Sequence, residues 1–134
     1  MISINFRGVF LSIQAAVPHM KDGGRIITIG SNTAIRTGHA GSSIYQVTKA
    51  AVAGLVKGLA LDLAPRQITV NNVQPGPTAT EIHESLSAPD VSGFTPLKRI
   101  AQPAEIAGLI SYLARNESGY MTGSSLTIDG GYVL

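Results

Sequence analysis

The chain has 134 residues, long enough for one domain with its own core. Hydrophobic residues make up 44% and charged residues 13%, which excludes a disordered chain, and the lack of cysteine excludes disulfides, thiolate metal sites and a cysteine nucleophile. The ten lysines and arginines, which leave a net charge of +2, are scattered singly rather than gathered into a basic stripe, so no nucleic-acid partner is expected.

No apolar stretch is long enough to span a bilayer, and Lys57 interrupts the most hydrophobic one, Ala50 to Leu63, so no membrane association is expected. Met1 to Met20 has two readings. Arg7 ahead of Val9-Phe10-Leu11 is the beginning of a secretory leader, but Ser12 and Gln14 break the apolar run. The preferred reading is an amphipathic helix with Val9, Phe10, Ile13, Ala16, Val17 and Met20 inward, in a cytoplasmic protein.

Lys21-Asp22-Gly23-Gly24 stops that helix near Met20. Arg25-Ile26-Ile27-Thr28-Ile29 then has the near-continuous apolar character of a strand buried on both faces. Gly30 to Gly41 reads as a loop, and Ser42 or Ser43 caps a helix that runs to about Ala64 and stops at Pro65. Ile68 to Val73 is a second strand, broken by Pro75-Gly76-Pro77. Thr78 to Thr95 is an irregular excursion with a short helix around Glu81 to Leu86. Pro103 opens a helix reaching about Ala114, and Ser125 to Asp129 is a last strand closed by Gly130-Gly131.

Helix and strand alternate through the chain, which predicts an α/β layer built on a parallel sheet with crossover helices. About three strands make a small sheet with at least one exposed edge, so the chain reads as part of a larger object. The helix from Ser43 to Ala64 supports this. Its only charges are Lys49, Lys57 and Asp62, and Ala50, Ala51, Ala53, Gly54, Gly58 and Ala60 are spread around it. A helix apolar on nearly all sides is expected to be buried on nearly all sides, one face on the sheet and the other against a second helix. The plainer alternative is an alanine-rich helix favoured by propensity alone.

Tyr45 and Lys49 lie four apart on that helix and share a face near its start. An ammonium beside a phenol stabilises phenolate, and a phenol tuned in this way exchanges protons with a substrate near neutral pH. The spacing alone is common by chance, and an exposed pair of no consequence is the plain alternative. Context gives it weight: Ser31 ends the first strand, Pro75-Gly76 ends the second, and in open α/β sheets ligands sit outside the carboxyl ends of the strands.

With these pieces in place the sequence resembles the classical short-chain dehydrogenase/reductase family, and within it the 3-oxoacyl carrier-protein reductase-like members. The matching segments, in order, are Asn5-Phe6-Arg7-Gly8-Val9-Phe10, Gly24 to Ser31, Tyr45-Gln46-Val47-Thr48-Lys49, Val70 to Thr80, Arg99 to Ala107, and Thr122-Gly123 leading to Asp129-Gly130-Gly131. They cover essentially the whole chain. The resemblance implies the second half of a Rossmann-like, doubly wound parallel sheet. It also implies an oxidoreductase that interconverts a carbonyl and a secondary alcohol with NAD or NADP.

By the same resemblance Tyr45 is the proton donor in reduction and the acceptor in oxidation. Lys49 assists it and holds the nicotinamide ribose, and Ser31 hydrogen-bonds the substrate oxygen. Asn5 holds a water linking Lys49 to solvent. Pro75 and Gly76 lie against the nicotinamide, while Thr78 and Thr80 contact the carboxamide and pyrophosphate region. A helix cap is an equal reading of Asn5, and a cap is the alternative for Thr80. His19, His39 and His83 lack metal-ligand spacing and are expected to be surface residues, so no metal is expected. Ile82 to Phe94 is expected to form a lid over the pocket, with Gly38-His39-Ala40 at its mouth.

The departure from the family pattern is large. The strand, glycine-rich turn and helix that bind the dinucleotide pyrophosphate have no counterpart in these residues. Gly54-x-x-x-Gly58 lies within a helix and Gly119-x-x-x-Gly123 within a loop. The residue that chooses NAD or NADP is missing too. Residues 1–134 therefore read as the C-terminal, catalytic and substrate half of the domain, from a truncated reading frame, a split gene or an incomplete sequence. Three functions follow: the catalytic half of an oxidoreductase acting on a small carbonyl/alcohol substrate; a truncated, non-catalytic assembly module; or a regulatory domain binding another ligand at the same rim. A homo-oligomer, dimer or tetramer, is expected through the helices near 5–20 and 43–64.

Overall fold

The computed structural model describes residues 1–80 and 92–134, and the alternation of helix and strand is present. The first helix opens with a π-helical turn, Ser3–Gly8, continues as α1, Val9–Ala16, and closes in a 3₁₀ turn, Val17–His19. Then follow β1, Arg25–Ile29; α2, Ser43–Leu63; β2, Thr69–Pro75; α3, Pro103–Leu113; and β3, Ser125–Ile128. The short helix expected at 81–86 lies outside the described residues, as does most of the expected lid.

The sheet is parallel throughout, in the order β1-β2-β3. Its register pairs Ile29 with Val73 and Pro75 with Ile128, which brings the carboxyl ends of the strands to one rim. Successive side chains of a strand point to opposite faces. On one face Ile26, Val70 and Ile68 pack with Val56, Ala60 and Leu63 of α2 and with Val17 and Met20. On the other, Ile27, Val73, Leu126 and Ile128 pack with Ile106, Leu109, Ile110 and Leu113 of α3. Each fully buried valine or leucine contributes about 1.5–3 kcal/mol relative to exposure.

Polar side chains in the centre of the sheet are paired. Thr28 Oγ1 donates to Asn72 Oδ1 at 2.9 Å, and Asn72 Nδ2 donates to Ser125 Oγ at 3.2 Å, a rung across all three strands. Asn71 Nδ2 donates to the Met121 carbonyl at 2.8 Å, and Asn71 Oδ1 accepts from the Ser124 amide at 3.2 Å. Arg66 donates to the carbonyls of Val17 and Met20, which ties the end of α1 to the end of α2.

Several expectations are corrected. β1 is not buried on both faces: only Thr28 is fully buried and Ile29 is 47% exposed, because β1 lies at the edge of the sheet. In the first helix the inward stripe narrows to Ile13, with Val9, Val17 and Met20 half-buried and Phe10 and Ala16 exposed. That helix packs along one line only, so positions three residues to either side of Ile13 fall outside it. α2 is buried along one stripe, Thr48, Val52, Val56, Ala60 and Leu63, rather than on nearly all sides. Its opposite face carries Ile44, Val47 and Leu61 at 53%, 59% and 79% exposure. Ser42 stands at the start of α2, but its hydroxyl makes no capping bond and donates instead to the His39 carbonyl at 2.7 Å. Among the described residues no helix is long and apolar enough to cross a membrane.

Candidate active site

The rim at the carboxyl ends of the strands carries a cleft of about 720 Å³. Its geometry begins with three loops that touch one another. After β1, the Gly30 amide donates to the Val73 carbonyl at 2.7 Å, and a Cβ at Gly30 would sit 2.7 Å from the Asn72 amide oxygen. After β2, a Cβ at Gly76 would lie 2.5 Å from Asp129 Cβ and 2.7 Å from Asp129 Cα. Glycine is therefore required there by close approach. After β3, Asp129 accepts from the amides of Gly131 and Val133 at 2.9 and 3.1 Å and from buried Asn32 Nδ2 at 3.3 Å.

Ser31 is buried and stands at the entry to the 3₁₀ turn Asn32–Ala34. Its Oγ accepts from the Thr33 amide at 3.2 Å and from Thr33 Oγ1 at 2.9 Å. A serine oxygen has two acceptor positions, and these two bonds fill both. Tyr45 and Lys49 project from the first turns of α2 into the same cleft. Lys49 Nζ lies 5.7 Å from the centre of the Tyr45 ring and donates to the Ile29 carbonyl at 3.0 Å. Burial lowers the Lys49 pKa below the ordinary lysine value, because desolvation disfavours the ammonium.

The third wall follows β2. Thr78 Oγ1 donates to the Gly76 carbonyl at 2.9 Å, and the segment pairs with Ala101 through Ala79 N to Ala101 O and Ala101 N to Pro77 O, both 2.9 Å. Ala101 leads directly into α3, where Pro103 occupies the first turn and Glu105 Oε2 accepts from the Gln102 amide at 2.8 Å. That anchorage lays Ile106, Ala107 and Ile110 along the cleft.

Of the residues singled out in the sequence, Ser31, Tyr45, Lys49, Pro75, Gly76, Thr78 and Thr80 all line this cleft, and Gly38 and His39 join them. Asn5 does not line it. It lies inside the π-helical turn that begins at Ser3, so it is not a helix cap, and its turn packs against α2. π-Helical turns frequently mark functional positions. His19 and His39 are exposed; His83 lies outside the described residues. Sequence reasoning passed over Asn32, Thr33 and Tyr132 as cleft residues. Nothing in the local pattern marks Tyr132, whose position depends on contacts with the loop after β1.

Comparison with known proteins gives the family and the fold. The family model described as enoyl-(acyl carrier protein) reductase matches residues 1–133. The chain is 42% identical to a 3-oxoacyl-[acyl-carrier-protein] reductase of Synechocystis, over 100% of this chain and 55% of that protein. It superposes on a short-chain dehydrogenase/reductase from Serratia marcescens with a TM-score of 0.94 at 47% identity, covering 100% of this chain and 56% of that one. It also superposes on a blue fluorescent protein from a metagenomic library in complex with NADPH, with a TM-score of 0.92 at 41% identity, covering 98% and 54%. The chain spans about half the length of the curated relatives it matches. On sequence and fold, the chain belongs to the short-chain dehydrogenase/reductase family.

Proposed function

We propose that this cleft is the catalytic and substrate half of an NAD(P)-dependent oxidoreductase that interconverts a small carbonyl compound and a secondary alcohol. The observation that carries the reading is the presence of Ser31, Tyr45 and Lys49 on one cleft with Pro75, Gly76, Thr78 and Thr80. The donor set suits a nicotinamide nucleotide: a flat Pro75-Gly76 surface for the ring, two threonine hydroxyls for amide and phosphate oxygens, and the Lys49 ammonium for ribose hydroxyls. When bound, the nicotinamide supplies or accepts the hydride at the carbonyl carbon.

The chain's own residues do the rest. The Ser31 proton points at the substrate oxygen and orients it. Tyr45 gives its phenolic proton to that oxygen in reduction and takes it back in oxidation. Lys49, positively charged and partly desolvated, stabilises the phenolate left behind. Asn5 is assigned a supporting part, holding a water near Lys49 through the π-helical turn beside α2.

The test is loss of reduced-nicotinamide absorbance with a panel of small ketones. Tyr45→Phe is expected to lower turnover about 10²–10⁴-fold, the usual contribution of a positioned acid or base. Replacement of fully exposed Tyr120 by Phe is expected to leave it unchanged. Retained turnover in Tyr45→Phe overturns the assignment. A second reading, an assembly module, draws support from the exposed stripe Ile44, Val47, Gly54, Gly58 and Leu61 along α2, which fits a second copy of this chain. Calorimetric titration with NADH and NADPH separates the two: tight binding by this chain alone favours the enzyme, and no binding favours the module.

A further inference from the structure

We propose that Tyr132 selects the substrate: its hydroxyl hydrogen-bonds a second oxygen on the ketone or alcohol, so hydroxyketones are preferred over plain ketones of the same shape. This rests on the reading of the cleft as a carbonyl site.

The ring is held from three directions. Arg36 Nη1 donates to the Tyr132 carbonyl at 3.0 Å, and its guanidinium lies 6.0 Å from the ring centre. The turn that carries Tyr132 is fixed by the Asp129 carboxylate and by Gly131, at φ 86°, where a Cβ would strike Pro96 Cγ at 2.9 Å. Gly38 closes the third side, since a Cβ there would sit 2.9 Å from the Tyr132 hydroxyl. The hydroxyl is thus placed by packing, with no hydrogen-bond partner among the described residues, and the side chain lines the cleft.

Elimination points the same way. In the proposed reading Ser31 and Tyr45 serve the reacting oxygen, while Lys49 and Thr80, which also line the cleft, serve the nucleotide. Thr33 Oγ1 is bound to Ser31, Asn32 Nδ2 to Asp129, and Thr78 Oγ1 to Gly76. Exposed His39 has its Nδ1 at 2.9 Å from the Ala40 carbonyl. Much of the remaining wall is apolar, Ile29, Pro77, Ile106 and Ile110 among it. A hydroxyl placed by packing in such a wall, and without a partner among the described residues, discriminates between ligands that satisfy it and ligands that do not.

The experiment is a ligand-observed NMR titration of this chain, with and without NADP, using cyclohexanone, 2-hydroxycyclohexanone and 4-hydroxycyclohexanone. At least one hydroxyketone is expected to bind about 3- to 10-fold more tightly than cyclohexanone, the range of one neutral hydrogen bond. Tyr132→Phe keeps the ring and its contact with Arg36, and is expected to erase that ratio. A ratio that survives Tyr132→Phe, a wild-type chain without preference, or no binding of any of the three overturns the proposal. Tyr45→Phe is measured in parallel and is expected to weaken all three ligands alike. If it leaves them all unchanged, the carbonyl-site reading fails, whereas the Tyr132 assignment is judged on the ratio alone.

Discussion

Replacing Gly76 by alanine tests whether the three rim loops are locked together as described. The new methyl would begin 2.5 Å from Asp129 Cβ and 2.7 Å from Asp129 Cα. Carbon atoms settle near 3.5–4.0 Å, so the loops after β2 and β3 must part by about 1 Å. The obstacle includes backbone and has no rotamer to escape into. Overpacking of this kind costs about 1–3 kcal/mol, and parting the loops also strains the 3.3 Å bond from buried Asn32 to Asp129. For a domain of this size the cost corresponds to a fall of about 3–10 °C in Tm. Thermal unfolding followed by circular dichroism measures it. Gly108→Ala is the control: it lies within α3, a Cβ there meets nothing within 4 Å, and the substitution is expected to stabilise by about 0.5–1 kcal/mol. A Gly76→Ala variant that melts with the wild type would refute the locked-rim argument.

Three further outcomes are expected. Hydrogen bonds from Arg99, then the amide of Gln102, hold the Glu105 carboxyl at about 2 instead of its ordinary 4.5. A depressed carboxyl contributes stability that is fully present above 4.5 and is lost as pH falls through about 2. The difference in denaturant midpoint between wild type and Glu105→Gln should therefore be constant above that window and shrink through it; a pH-independent difference would contradict the pairing. Asn71→Ala leaves the Met121 carbonyl and the Ser124 amide without their side-chain partner and should destabilise by about 1–3 kcal/mol in urea titration, and a neutral result would contradict the weight given to these two bonds. Val47→Asp together with Leu61→Asp, both on the exposed face of α2, should shift the sedimentation of the chain toward the monomer without lowering Tm, and an unchanged distribution would remove that face from the assembly.

Much of the fold was readable because local signals and tertiary environment agree. Arg25–Ile29 is rich in β-branched residues and followed by glycine, Ile68-Thr69-Val70 leads into the second strand and Pro75 ends it, and Pro65 and Pro103 mark a helix end and a helix start through their missing amides. Burial was misjudged where it depends on what lies beside an element. Apolar character reports which faces can be buried, whereas exposure of Ile29 and of Ile44, Val47 and Leu61 reports which faces are covered by residues of this chain. The cleft-lining residues on strand ends and on the first turns of α2 were legible from spacing and from the resemblance, since one helical turn fixes Tyr45 and Lys49 on one face. Asn32, Asp129 and Tyr132 were not, because their roles arise from loops that are distant in sequence: Asn32 and Asp129 meet across the sheet rim, and Gly38 and Arg36 position Tyr132.

The central claim is that Ser31 and Tyr45 act on one and the same substrate oxygen. A crystal structure of the chain soaked with a small ketone tests it most directly. The account predicts the ketone oxygen within hydrogen-bond reach, about 2.5–3.0 Å, of both hydroxyls at once. A ketone oxygen held by neither hydroxyl, or hydroxyls too far apart to share any single atom, would contradict it.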